Sequence, residues 1–205
     1  MGKGCGVRQK ITSLCDAEIR PALRSQIMVD YGHEPDSLLI EELGLCRGQV
    51  RVDLAIVNGH FHGFEIKSDR DSLRRLGGQI ETYNKIFDHM TMVVGARHLN
   101  EVLEYLPPWW GILQIINNIN GLQFKSRRKG RKNPARDPRA LAELLWLDEA
   151  IALLEQRDAA RGVRGQPRRK VWDRVCECYT LNEIANSVRE RLKARLKHQV
   201  PVPPS

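Results

Sequence analysis

No run of about 18 apolar residues occurs in the 205-residue chain, so no segment of it is expected to span a membrane. The amino-terminal MGKGCGVRQK is basic but lacks the apolar stretch of a secretory signal. Gly2 alone is a weak acylation cue, because the sixth position holds Gly6 rather than Ser or Thr. A cytoplasmic location is therefore expected. Cysteines are few, odd in number and scattered: Cys5, Cys15, Cys46, Cys176 and Cys178. That spacing excludes a disulfide framework and fits a reducing compartment. Cys176 and Cys178 form a C-x-C pair with no second pair nearby, so a half-buried helix face explains them better than structural zinc. No internal repeat is evident.

The composition is that of an ordinary globular protein, 41% apolar and 28% charged. The net charge of +8 is unevenly spread. Residues 1–120 hold 13 Lys+Arg against 15 Asp+Glu, whereas residues 121–205 hold 20 against 10. All the excess positive charge thus lies in the last two fifths, which suggests a polyanionic partner, most simply nucleic acid. A basic tail without a specific partner is the plainer alternative.

Along the chain, DAEIRPALRSQIMV (16–29) reads as a helix with Ile19, Leu23 and Ile27 on one stripe and Pro21 near its first turn. SLLIEELGL (37–45) is ambiguous between helix and strand. In VRVDLAIVN (50–58), apolar residues alternate with Arg51, Asp53 and Ala55, which predicts a strand, and Asn58-Gly59 predicts a turn. HFHGFEIKS (60–68) returns as the second strand of a hairpin. A helix over 71–87, capped by Ser68 or Asp69, carries Leu73, Leu76, Ile80, Tyr83 and Phe87 on one stripe. MTMVV (90–94) suits a strand buried on both faces, reached by a right-handed crossover and paired in parallel. A helix (98–106) and a strand (109–116) extend the sheet, with Trp109 and Trp110 as core at the strand's start. Residues 125–139 carry eight basic residues and one acid and read as a linker or exposed loop. Helices over 139–156 and 181–197 follow, with a basic segment between them. The organisation predicted is a domain over 1–120, a basic linker over 121–139 and a basic helical region over 140–205.

Residues i and i+2 of a strand point the same way, so Glu65 and Lys67 share a face while Ile66 enters the core. Asp53 has the polar parity on the neighbouring strand. Two acids and a lysine on one face suit a divalent cation with an ammonium beside it, since Mg²⁺ takes oxygen ligands and keeps positions for water and phosphate. The backbone carbonyl of Ile66 is a further candidate ligand. The rival reading is a solvated strand face.

At Asp53 and Glu65-Ile66-Lys67 the sequence resembles the PD-(D/E)XK nuclease superfamily, with its acid on one strand and E-x-K on the next. Val52 stands where that pattern has proline. RVDLAIVNG, HGFEIKSDRDSLRRL and the following Q-x-x-x-Y are similar to a bacterial family of largely uncharacterised restriction-endonuclease-like proteins, over about two thirds of the chain, through PPWWG and LWLDEAIALL. The resemblance implies an α/β fold with an αβββαβ core, a mixed sheet and a basic helical carboxy-terminal region. It implies a Mg²⁺-dependent nuclease (Mn²⁺ substituting) acting on DNA in a repair, defence or mobile-element setting. Asp53 and Glu65 would hold the metal and Lys67 would act on the attacking water or the transition state. Glu42, preferred to Glu41, would be the upstream acid. Gln79 and Tyr83, at i and i+4 of one helix, would support the site or contact DNA. Arg70, Ser68, Lys125, Arg127, Arg128, Lys129, Arg131 and Lys132 are the candidate substrate contacts. Cutting both strands would require two sites, hence a homodimer. A nucleic-acid-binding protein that keeps the fold without catalysis, or a subunit of a larger complex, remains the alternative. His60 and His62 share a strand face suited to a transition metal, but their place at a turn favours exposed turn residues. Gly77-Gly78 weakens its helix, for which close approach of a phosphate or a strand is a reason.

Overall fold

The computed structural model describes residues 14–34, 36–119 and 121–197, so the expectations for residues 1–10 and for Cys5 lie outside the described residues. Helix α1 (Asp16–Tyr31) is followed by strands β1 (Leu38–Leu45), β2 (Val50–Val57) and β3 (Phe61–Lys67). Helix α2 (Leu76–Ile86), β4 (His89–Val94), α3 (Leu99–Tyr105), β5 (Gly111–Asn118) and β6 (Gly121–Arg128) come next. Four helices close the chain: α4 (Pro138–Ala142), α5 (Leu147–Glu155), α6 (Arg168–Cys178) and α7 (Leu181–Lys197). The protein is α/β, with a six-stranded mixed sheet ordered β1-β2-β3-β4-β5-β6. The β1-β2, β2-β3 and β5-β6 pairs are antiparallel, and β3-β4 and β4-β5 are parallel.

Both sheet faces are covered, which explains why β2, β3 and β4 are almost continuously apolar. On one face the α1 stripe of Ile19, Leu23 and Ile27 packs on Leu54, Ile56, Phe64, Ile66 and Val93. On the other, Ala55, Val57, Phe61, Met92 and Val94 share one cluster with α2 and with Leu141, Leu145, Trp172 and Val188 of the last helices. Trp109 and Trp110 are buried, as expected. Gly63 lies where a Cβ would sit 2.4 Å from Met90 Sδ and 3.0 Å from the Phe87 ring, so strand β3 and β4 contacts require glycine there.

Of the two readings open for SLLIEELGL, the strand is found, as β1. Three expectations are corrected. The helix expected over 71–87 starts only at Leu76, because Asp71 turns back to accept from the Ser68 N–H at 2.8 Å and Oγ at 2.6 Å, which holds 68–71 as a turn. Residues 121–139 are no free linker. Their first part is β6, and the coil after it is tied by Arg131 N to Trp109 O, Asn133 N to Asp88 O and Asp137 N to Lys85 O, each at 2.8 Å. The single helix over 139–156 is instead α4 and α5 with Asp137 capping the first, and the basic segment before residue 181 contains α6. Cys176 and Cys178 sit half-buried on α6. Among the described residues no helix is long and apolar enough to cross a membrane.

Candidate active site

The carboxyl ends of β3 and β4 lie side by side, and the chain leaves β3 at Lys67. Lys67 O accepts from Gly95 N at 2.9 Å, fixing the two strand ends together. Crevices at such strand ends commonly receive ligands in α/β sheets.

Glu65 and Lys67 share a face as predicted, but the face is buried, with 2% and 9% of each residue exposed. A merely solvated pair is thereby excluded. Lys67 Nζ donates to Glu65 Oε1 at 2.6 Å, and Gln79 Nε2 donates to the same oxygen at 2.6 Å. The Tyr83 hydroxyl lies 2.7 Å from Glu65 Oε2 and 2.8 Å from the Arg51 carbonyl, so its one proton serves one acceptor at a time. Helix periodicity does this work: Gln79 and Tyr83, one turn apart on α2, reach down onto one carboxylate. Burial, reinforced by the Glu65 charge, raises the Tyr83 pKa, so the phenol stays protonated and remains a donor.

Asp53 completes the group. Its Oδ2 accepts from Ile66 N at 2.6 Å and its Oδ1 lies 3.1 Å from Arg20 Nη2. Burial, then the charge of Glu65, pushes its pKa up to about 7. Ile66, whose carbonyl is a candidate ligand, faces Val93 in the β3-β4 ladder. Glu42 rather than Glu41 points at this group, through Arg20: Glu42 Oε1 is 2.7 Å from Arg20 Nη2, while Glu41 pairs with Arg24 on the surface. Glu42 has φ 53, a left-handed value that costs a non-glycine residue on the order of 1–2 kcal/mol. That kink interrupts the alternation of β1 opposite Asp53.

Arg20 is the residue the sequence reading missed. From α1 it bonds Asp16 at 2.8 Å, the Asp53 carbonyl at 2.9 Å, the Asp53 carboxylate and Glu42. Burial opposes its charge, but Asp16, Asp53 and Glu42 together hold its pKa above the ordinary value. The i, i+4 pair Asp16-Arg20, beside the buried Ile19, was the available signal.

The other candidates divide. Ser68 is buried and bonded to Asp71, and Arg70 is exposed with its backbone N–H on Ser68 Oγ. Arg128 is drawn into the fold, its guanidinium bonding the carbonyls of Trp110 at 2.8 Å and Pro107 at 3.0 Å; it ties β6 to the segment before β5 and is not available to a substrate as expected. Arg127 is exposed and held by Gln114 Oε1 at 2.7 Å. Arg131 bonds the Pro108 carbonyl at 3.2 Å, and Lys125, Lys129 and Lys132 are exposed. His60 is exposed at its turn, as expected, but His62 is not. It is half-buried, stacks on Phe64, and meets Thr91 Oγ1 at 2.8 Å. Burial, with His89 and His60 nearby, lowers its pKa to about 3. Among the described residues no group of three His, Cys, Asp or Glu side chains is placed to hold a metal.

The donor set of Asp53 and Glu65 nevertheless fits Mg²⁺, which is commonly held by only one or two carboxylates. Glu65 takes three hydrogen bonds of the about four its oxygens can accept. Gln79, whose Nε2 bonds Glu65, has its Oε1 buried without a hydrogen-bond partner. A cation there would offset both the burial and the Glu65 charge that raise the Asp53 pKa.

The fold and site define an α/β protein with a buried carboxylate–lysine centre at the carboxyl end of a central strand of a mixed sheet. The chain belongs to the bacteriophage P4 protein cII family, whose model matches residues 12–201. It is 36% identical to protein cII of Enterobacteria phage P4 over 118 residues, covering 58% of this chain and 44% of that protein, so the match spans less than half the relative's length. Among solved structures it is similar to the SPO1766 protein of unknown function from Silicibacter pomeroyi, at 19% identity and a TM-score of 0.40, over 73% of this chain and 92% of that one. Likeness at that level supports no conclusion about either.

Proposed function

We propose that this chain is a Mg²⁺-dependent nuclease of the PD-(D/E)XK class with a restriction-endonuclease-like core, hydrolysing phosphodiester bonds in DNA, in the cytoplasm, in a repair, defence or mobile-element setting. The observation that carries the reading is the convergence of Lys67, Gln79 and Tyr83 on the buried carboxylate of Glu65, beside Asp53. Three donors from two elements fix one carboxylate in one orientation, an arrangement suited to chemistry rather than to stability. Bound Mg²⁺ would supply a water of lowered pKa and neutralise charge developing on the phosphate. The protein's own groups do the rest. Lys67 keeps an ammonium where that charge develops, and Glu65 holds it there. Burial, then the Glu65 charge, holds the Asp53 carboxyl well above the ordinary carboxylate range, at about 7. Arg20 anchors Asp53 and Glu42 from the α1 side.

The test is degradation of linear and circular DNA by the full-length protein with and without Mg²⁺ or Mn²⁺, beside Asp53→Asn and Glu65→Gln. Cation-dependent cleavage lost in both variants is expected; equal cleavage by all three would end the assignment. A second reading is favoured by Arg20, whose guanidinium gives Asp53 and Glu42 a built-in positive partner. A DNA-binding protein without catalysis would then shift DNA identically with and without the cation, and never cut it.

A further inference from the structure

One cavity, of about 350 Å³, is not lined by Glu65 and lies between the end of β1 with the turn after it and the last helices. Its floor is apolar, from Leu43, Leu145, Leu147 and Leu192, and Trp146 forms one wall. Trp146 is 60% exposed, whereas the other three tryptophans are buried at 8%, 0% and 3%. Trp146 stands at the N-cap of α5 with its indole largely in water, and the structure holds it in place. The Arg195 guanidinium lies 4.2 Å from its ring centroid, and Arg195 is itself fixed by Glu149 and by the Leu144 carbonyl at 2.8 Å. The indole is thus backed by a pinned cation on one face.

The rim is basic. Arg47 and Arg168 both line the cavity, both are exposed, and neither makes an ion pair among the described residues. The one acid in the lining, Glu143, is paired with Arg139 at 3.3 Å. Arg47 stands on a turn in which Cys46, Arg47 and Gly48 have φ 47, 59 and 85. Consecutive left-handed residues, two of them not glycine, hold that arginine out at a fixed point. Leu43 and Gly44 of the cavity directly follow Glu42 of the candidate site, one or two strand residues away, or roughly 3–7 Å along β1.

We infer that this cavity is a subsite for an unpaired nucleotide of a DNA strand, with Trp146 stacking the base and Arg47 and Arg168 receiving the flanking phosphates. A base can stack on an aromatic side chain only when it is unpaired and turned out of its duplex, so single-stranded DNA is selected over duplex. The placement rests on the nuclease reading only for why a strand end should lie one step from Glu42. Binding at the subsite itself requires no metal and no cleavage.

The test is a titration of the full-length protein in EDTA with a single-stranded DNA oligonucleotide, a duplex of the same sequence and an RNA version, read by tryptophan fluorescence and by anisotropy of a labelled strand. Trp146 is the exposed emitter, so single-stranded DNA should quench the protein and Trp146→Ala should abolish that quench. The same variant should bind single-stranded DNA about tenfold more weakly and bind duplex within twofold of the unaltered protein. Arg47→Ala and Arg168→Ala, which leave the helix packing untouched, should each lower the salt slope of single-strand binding by about one. Unchanged single-strand affinity in Trp146→Ala and both arginine variants overturns the inference, as does tighter binding of duplex or RNA. Absence of Mg²⁺-dependent cleavage with these binding results intact would remove the nuclease reading and leave the subsite. Cleavage with no effect of the three substitutions would do the reverse.

Discussion

At the scale of single residues the sharpest expectation concerns Lys67. Its ammonium, 2.6 Å from Glu65 Oε1, would act on charge that develops only in the transition state. Lys67→Ala should therefore lower single-turnover cleavage on the order of 10²-fold or more while leaving the gel-shift affinity nearly unchanged. Glu65 would keep Gln79 and Tyr83, so the fold should survive, as a melting curve would show. Lys67→Arg should not rescue the rate, because a planar fork does not fit where a compact ammonium is buried. Wild-type cleavage by Lys67→Ala would remove the residue from the mechanism. Asp53 and His62 make a second expectation, in pH. The folded pKa of Asp53 is raised to about 7, so the folded state holds that proton longer than the unfolded chain, and stability falls as pH rises from about 4 to about 7. The folded pKa of His62 is depressed to about 3, so the unfolded chain takes the proton first, and stability falls as pH drops from about 6.5 toward 3. The two slopes oppose one another between about pH 4 and 6.5, and the natural protein should look flat there. Asp53→Asn should expose a loss toward acid, and His62→Gln a loss toward neutrality, each on the order of 2 kcal/mol across the window in urea titrations. Flat profiles in both variants would show that neither group titrates as its surroundings demand.

At the scale of elements, α2 offers a local test. Gly78 has nothing within 4 Å of where a Cβ would stand, while at Gly77 a Cβ would lie 3.0 Å from the Tyr105 hydroxyl. Glycine costs a helix interior about 1 kcal/mol against alanine, and less in the first turn, where Gly77 and Gly78 stand as the second and third residues of α2. Gly78→Ala should thus stabilise the protein by about 0.5 kcal/mol, with Gly77→Ala gaining less because Tyr105 must move. Should Gly78→Ala raise the melting temperature and yet impair DNA binding, close approach of the ligand to α2 is the reason for the glycine. The same helix marks how far the sequence could be read. The strand at 50–57, the Asn58-Gly59 turn and the i, i+4 placing of Gln79 and Tyr83 are local, and each is found in the structure, although β2 is buried on both faces rather than on one. The start of α2 was not legible, because Asp71 spends its side chain on Ser68 rather than on a helix cap. Nor was the burial of Glu65 and Lys67, which depends on α2 folding back over the sheet. Arg20 and the left-handed Glu42 escaped for the same reason: each answers to a partner on another element.

At the scale of the molecule, the basic carboxy-terminal half and the core are one body. Asp88, buried between β4 and the loop before it, accepts from Phe61 N at 2.9 Å and pairs with Arg136 at 2.8 Å and Arg189 at 3.5 Å, binding the coil and α7 to the sheet. A chain ended after residue 122 would lose β6 together with Leu141, Leu145, Trp172 and Val188 from the core cluster. It should be recovered unfolded, which circular dichroism would register, and it cannot separate affinity from chemistry. Charge substitution can. Of the 20 Lys+Arg in residues 121–205, many are held by carbonyls or carboxylates of the protein itself, among them Arg128, Arg131, Arg136, Arg139, Arg157, Arg164, Arg174, Arg189 and Arg195. Lys125, Lys129 and Lys132 are exposed on and just after β6, with no ion pair among the described residues. If about half a dozen phosphates are contacted in all, log K for duplex DNA should fall against log salt with a slope near −5. Replacing those three lysines with alanine should make the slope shallower by roughly 2–3 and weaken binding alike on every sequence, without changing the cleavage rate of bound DNA. Replacing Arg128 instead should leave the slope alone and lower the melting temperature, because its hydrogen bonds are internal. An unchanged slope in the triple lysine variant would mean that the positive charge of β6 faces some partner other than DNA.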